Sequence, residues 1–151
     1  MIKSQNMKKS INKDKIISPL EKIKRKDGYI LKLINKKNKN YNGFGEVYFS
    51  KVNYLKIRAW KLHKQMYSNL FVVKGRFLFA VQKDIKSSTF FKVIIDEKDY
   101  KSIFIQPNIW FGFQGLSKKE NLLMNLSNII HNDKESQTIN SKKFEFRWNK
   151  K

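Results

Sequence analysis

The chain has two histidines and no cysteine, so few of its side chains can do chemistry near neutral pH. His63 lies in WKLHKQMYSNLFVVKG, residues 60–75, between two strand-like runs. An imidazole with an ordinary pKa of about 6.5 can take up a proton, ligate a metal or sit idle at the surface. Arg58, Lys61 and Lys64 flank it and could meet a diphosphate, although a solvated role is the default for any single lysine in so basic a chain. Trp60, Tyr67, Trp110 and Phe113 could stack on a base or a sugar ring, and could equally pack a core. His131 stands in the turn HNDKE and is read as a capping or packing residue.

The elements that must position these groups read as strands. Residues 1–15 show no hydrophobic period and are expected to form a loose basic tail, with a single domain over 16–151. From there the text is short apolar or alternating runs separated by turn chemistry. GYILKLIN (28–35) is followed by the turn dipeptide Asn42-Gly43. After it come FGEVYFSKVNY, LKIRAWKL, SNLFVVKG, RFLFAVQKD, TFFKVIIDEKD, SIFIQ and NIWFGFQGL. NLLMNLSNII (121–130) and KFEFRW (143–148) complete the series. Ser117 and Glu120 could cap a helix at 117–130, but the flanking runs favour a strand there. Runs rich in Phe, Tyr, Val and Ile at roughly ten-residue spacing point to an antiparallel sandwich or barrel. FLFAV and LFVV are apolar on both faces, so an outer face should also be covered, for example by a partner subunit.

The formal net charge is +21, from 33 Lys and Arg against 12 Asp and Glu. Arginine contributes only Arg25, Arg58, Arg76 and Arg147, and these do not cluster. Base readout and bidentate phosphate contacts favour arginine, while the lysines travel with isoleucine and asparagine as codon bias would make them. The charge is therefore read as solvated surface, with an anionic small molecule a better partner than nucleic acid. No signal peptide and no membrane-length apolar run is visible, so a cytoplasmic protein without a membrane partner is expected.

The series GEVYFSKV, IRAWKLH, NLFVVKGRFLFAVQKD, SIFIQPNIWFGFQGLS, NLSNIIHNDKES and FEFRW runs in this order through residues 44–148. It resembles the dTDP-4-dehydrorhamnose 3,5-epimerase family, and more narrowly the shorter epimerase-like cupins of sugar biosynthesis. That resemblance implies an all-β cupin jelly roll, commonly a homodimer, that uses no cofactor. It also implies a nucleotide-linked 4-keto sugar as substrate. A base would remove the proton beside the ketone and an acid would return one on the opposite face.

His63 matches the family's base. Arg58, offset by two residues, or Lys61 matches the arginine of that motif. Asn69 stands where a lysine helps to hold the enolate. IQPNIWFGF matches a loop that carries a histidine in the family, with Phe111 in its place and Trp110 beside it. Asn125 falls at the position of the acid tyrosine, and an amide cannot deliver a proton. Tyr67, Tyr48 or a water is left to supply it. The carboxylate that orients the base could be Asp133, Glu135 or Glu145. Metal-binding cupins need a second nearby histidine, a glutamate and a third histidine on a later strand; HKQMYSNL supplies neither of the first two and the later loop carries Phe111, so no metal is expected.

The expected activity is epimerisation next to a 4-ketone in deoxysugar or surface-polysaccharide biosynthesis. The changed partners of His63 suit a single-centre epimerase or a ketoisomerase better than double epimerisation. The alternative is a non-catalytic cupin that holds a sugar nucleotide or a partner enzyme.

Overall fold

A strand whose residues alternate apolar and polar has one face to bury, and the protein meets that need with two facing antiparallel sheets. The computed structural model describes residues 11–86 and 88–150. Its strands are β1 (Ile17–Pro19), β2 (Glu21–Arg25), β3 (Gly28–Lys32), β4 (Glu46–Lys51), β5 (Ile57–His63) and β6 (Ser68–Lys74). They continue with β7 (Arg76–Gln82), β8 (Phe91–Asp96), β9 (Lys101–Ile105), β10 (Trp110–Gly115), β11 (Leu122–Ser127) and β12 (Ser136–Thr138). One sheet runs β1-β9-β6-β11-β4 and the other β12-β5-β10-β7-β8, with β2 and β3 as a separate hairpin. From β4 to β7 and again from β8 to β12 each strand crosses to the other sheet, as in a jelly roll, while β7 and β8 pair as a hairpin within the second. Between β6 and β7 the crossing takes a single residue, Gly75, at φ +78°, where a Cβ would lie 2.0 Å from the Glu120 carbonyl oxygen. Only glycine suits that corner.

The core lies between the sheets. Leu70, Phe77, Phe79, Ile103 and Leu123 are almost wholly inaccessible there. The double-sided apolar character of β7 and β10 has a second cause. The chain's own C-terminal segment lies over the outside of the second sheet, where Trp60, Trp110, Ala80 and Phe144 form a separate cluster. Trp60 sits at its centre, with ring centroids 4.9 Å from Phe144, 5.4 Å from Trp148 and 5.7 Å from Phe146. On this sheet, therefore, the covering expected of a partner comes from the same chain.

Residues 143–148, expected as a strand, form no strand. KFEFRW alternates, but its Phe144, Phe146 and Trp148 satisfy themselves by ring packing on Trp60 instead of ladder pairing. Asn42-Gly43 closes no hairpin either, because β4 pairs with β11 and not with β3. The strand reading holds at 122–127, and Asn121 shapes the turn before it. Its side chain accepts from Ser117 N–H at 2.7 Å and donates to Ser117 C=O at 2.8 Å. Residues 13–15, expected in the tail, form a 3-10 turn, and Ile11 packs against the core. Residues 1–10 of that tail lie outside the described residues.

One irregularity matters for the site. Opposite β10, Phe111 faces Lys61 while Phe113 faces Arg58, so β5 holds an extra residue across this step. This bulge puts Arg58 and Lys61, three apart in sequence, on the same inner face. Gly112 makes room for it: a Cβ there would come within 2.4 Å of the Ala59 Cβ. Gly112→Ala is expected to destabilise the fold by about 1–3 kcal/mol, the usual cost of overpacking. Urea unfolding measures this, and an unchanged midpoint would contradict the close approach.

Candidate functional site

His63 ends β5 and its side chain is buried, with only 4% of its surface exposed. Its backbone C=O accepts from Asn108 N–H at 2.7 Å, which ties the strand end to the loop before β10. Its ring Nδ1 is hydrogen-bonded to Glu135 Oε1, and that leaves Nε2 as the nitrogen for other work. Glu135 belongs to the short 3-10 turn (Asp133–Glu135) that leads into β12. β12 pairs with β5 so that Ser136 lies opposite His63. The carboxylate's other oxygen accepts from the backbone N–H groups of Gln65 at 3.1 Å and Met66 at 3.3 Å.

The electrostatics agree with one protonation state. Burial lowers the pKa of His63 below its ordinary value of 6.5 and outweighs the upward pull of Glu135. Burial pushes Glu135 up, but hydrogen bonds from His63, Gln65 and Met66 overcome it and its pKa ends below the usual range. At neutral pH the pair is a neutral imidazole donating from Nδ1–H to a carboxylate. An unfolded chain binds more protons at both groups, so stability rises with pH from the acid side and is lost as pH falls below the ordinary histidine range.

A cavity of about 370 Å³ opens in front of this pair. His63, Lys61, Arg58 and Phe111 line it from the second sheet. Tyr48, Ser50 and Asn125 line it from β4 and β11 of the first. Phe111 lies roughly parallel to the imidazole, with ring centroids 6.1 Å apart, so an apolar face lies beside it. Arg58 Nη2 donates to the Lys51 C=O at 3.2 Å, bridging from one sheet to the end of the other. Asn125 Nδ2 donates to Tyr48 Oη at 2.8 Å. Among the described residues no three His, Asp or Glu side chains gather into a set that could hold a metal.

Of the residues singled out in the sequence, His63, Arg58, Lys61, Phe111, Phe113, Asn125 and Tyr48 line this cavity, whereas Trp110, Asn69 and Tyr67 do not. Trp110 points out of the sheet into the cluster under the C-terminal segment, with its ring 6.0 Å from Phe144. Strand alternation sends it to the face opposite Phe111. Asn69 alternates in the same way with Leu70, which lines the cavity. Its Nδ2 donates to the Asn40 C=O at 3.0 Å on the far side of the first sheet. Tyr67 also lies on that side, stacked on Phe104 at 6.0 Å. Of the three carboxylates left open, Glu135 meets His63. Asp133 bonds His131 Nε2 at 2.8 Å, and Glu145 is exposed. Ser50 had carried no signal in the sequence.

No family model matches the chain, and no curated protein matches it. Solved structures do. A dTDP sugar isomerase from Desulfovibrio desulfuricans G20 is 26% identical, with a TM-score of 0.77 over 87% of this chain and 88% of that one. A dTDP-4-dehydrorhamnose 3,5-epimerase from Elizabethkingia anophelis NUHP1 is 16% identical, with a TM-score of 0.78 over 95% of this chain and 85% of its own. A 3'-monoepimerase from Streptomyces bikiniensis, solved in complex with dTDP-quinovose, is 12% identical, with a TM-score of 0.75 over 83% and 69%. The all-β architecture is thus that of the dTDP-sugar epimerases and isomerases. The resemblance carried by the motif order leads to the same group of proteins.

Glu135→Gln removes the charge that pulls the His63 pKa up. The His63 midpoint is expected to fall further, since burial then acts with less opposition. An NMR titration of the imidazole signals follows this directly, because the chain has two histidines. A raised midpoint would contradict the pairing.

Proposed function

We propose that this protein is a cofactor-independent epimerase or isomerase of a dTDP-linked 4-keto-6-deoxysugar, serving deoxysugar or polysaccharide biosynthesis. The observation that carries this reading is the buried His63–Glu135 pair on the wall of a cavity that Arg58 and Lys61 also line. A ketone acidifies the neighbouring C–H. A neutral imidazole whose Nδ1–H is held by a carboxylate presents Nε2 as the base for that proton. The negative charge that develops on the ketone oxygen falls in a cavity supplied with Lys61 and Arg58, which can stabilise it or hold the diphosphate. Phe111 gives the sugar an apolar surface beside the imidazole.

The fold shared with dTDP-sugar enzymes supports the nucleotide and sugar class. The 3'-monoepimerase among those structures supports a single-centre reaction. A homodimer belongs to the same reading. Its support is the outer side of the edge strand β4, where Val47 and Phe49 are 48% and 61% exposed on a chain whose charge otherwise opposes self-association.

Incubation with a dTDP-4-keto-6-deoxysugar in deuterated water tests the reading. Label should enter at a carbon flanking the ketone, and His63→Ala should slow its entry by about 10²–10⁴-fold. A protein that binds the sugar nucleotide without exchange would be the non-catalytic cupin. Because the base must be neutral, kcat/KM is expected to rise with pH through a midpoint below 6.5, the direction in which burial moves His63. A pH profile with no acid limb between pH 4 and 8, or one with its midpoint above 6.5, would remove His63 from that role.

A further inference from the structure

Inversion at carbon needs a proton donor on the face opposite the base, and Asn125, at the expected position of that donor, is an amide. Its neighbour is not. β4 and β11 pair antiparallel with Tyr48 directly across from Asn125, so both side chains stand on the same face. That face turns inward, because Leu123, two residues before Asn125, belongs to the core between the sheets. Asn125 Nδ2 donates to Tyr48 Oη at 2.8 Å. A phenol that accepts this bond keeps its own O–H free to donate elsewhere. Tyr48 is 41% exposed and lines the cavity, so its hydroxyl lies on the substrate's path. His63 comes from the opposite sheet, and base and phenol therefore approach a bound sugar from opposing walls.

We propose that Tyr48 is the catalytic acid of this site and that Asn125 is its positioning residue, an assignment that rests on the sugar-epimerase reading above. His63 Nε2 takes the proton as the C–H bond breaks, and its electron pair moves through carbon to the ketone oxygen. The Tyr48 O–H then breaks toward the opposite face of that carbon. The enolate pair forms the new C–H bond and the carbonyl is restored. The phenolate recovers its proton from water and the imidazolium returns one, so the net change is the inverted centre.

The surroundings of the phenol suit that cycle. Burial raises the Tyr48 pKa above 10, which keeps the proton on the oxygen at neutral pH. Asn125 and Arg58 pull the pKa the other way and would steady the phenolate, while Glu46 adds a smaller upward push. Asn125 also has its Oδ1 buried without a hydrogen-bond partner.

Tyr48→Phe separates the steps. In deuterated water with the dTDP-4-keto-6-deoxysugar, the variant should keep label entry within about fivefold of the unaltered protein. Net isomer formation should fall by about 10²–10⁴-fold, the range for a lost general acid. Its melting temperature and its dTDP affinity should be unchanged. Isomer formation within threefold of the unaltered protein would overturn Tyr48 and leave the epimerase reading standing. Loss of label entry together with product, in a folded variant that still binds dTDP, would also overturn it, because an acid acts after C–H cleavage. If the unaltered protein neither exchanges nor isomerises the sugar, the epimerase reading falls and this assignment falls with it. Asn125→Leu should lower kcat about tenfold and move the alkaline limb of the pH profile upward, since the bond that lowers the phenol's pKa is gone. A limb that stays in place would deny Asn125 its positioning role.

Discussion

A carboxylate buried to 6% exposure is the constraint on which the rest of the site depends. An ionised Glu135 without partners would cost several kcal/mol. It is tolerated because the His63 ring and the Gln65 and Met66 N–H groups all turn toward it. Meeting that requirement fixes three things together. β12 must lie against the end of β5, the loop after His63 must wrap the carboxylate, and the imidazole must present Nδ1 to it. The ring's orientation and tautomer thus follow from satisfying a buried charge. The nitrogen left over is the one that can act on a ligand.

The two sheets divide the polar groups of the cavity between them. The second contributes the imidazole–carboxylate pair and the cations, and the first contributes the phenol and the amide. A sandwich closes its middle with apolar residues. Leu70, Phe113 and Leu123 do so beneath the cavity, and the polar groups stand where strand alternation continues past them. The arrangement needs the sheets at a fixed separation, and the aromatic packing outside β5 and β10 supports it. Trp60 is wholly inaccessible and donates from Nε1 to the Ser141 C=O at 3.3 Å. The C-terminal segment is thereby held over the same strand that carries His63 on its other face.

The bulge in β5 links fold to site more directly than any single contact. Without it, period-two alternation from His63 and Lys61 would turn Arg58 away from the cavity. With it, Arg58 faces inward opposite Phe113, reaches the end of β4 and bears on the Tyr48 phenol. Gly112 admits the extra backbone because it has no Cβ to meet Ala59. A small residue in one strand therefore decides where a charge in its neighbour points.

Much of this was legible in the sequence. Recurring β-branched and aromatic runs dictate an all-β sandwich, because such runs must bury one face each. His63 stands out as one of two imidazoles, and the order of motifs resembles that of the sugar-epimerase fold. Tertiary structure alone decided which groups meet. Three carboxylates were open to His63, and Glu135 was selected by strand pairing across 72 residues of sequence. Asn69 and Trp110 were lost from the cavity by alternation, whose phase depends on which face of a strand is inside. KFEFRW kept its alternation and formed no strand, because ring packing on Trp60 satisfied its aromatics. Residue type and period determine what a segment can bury. Register, bulges and the closing of one sheet on another determine what it touches, and those are set by contacts distant in the chain.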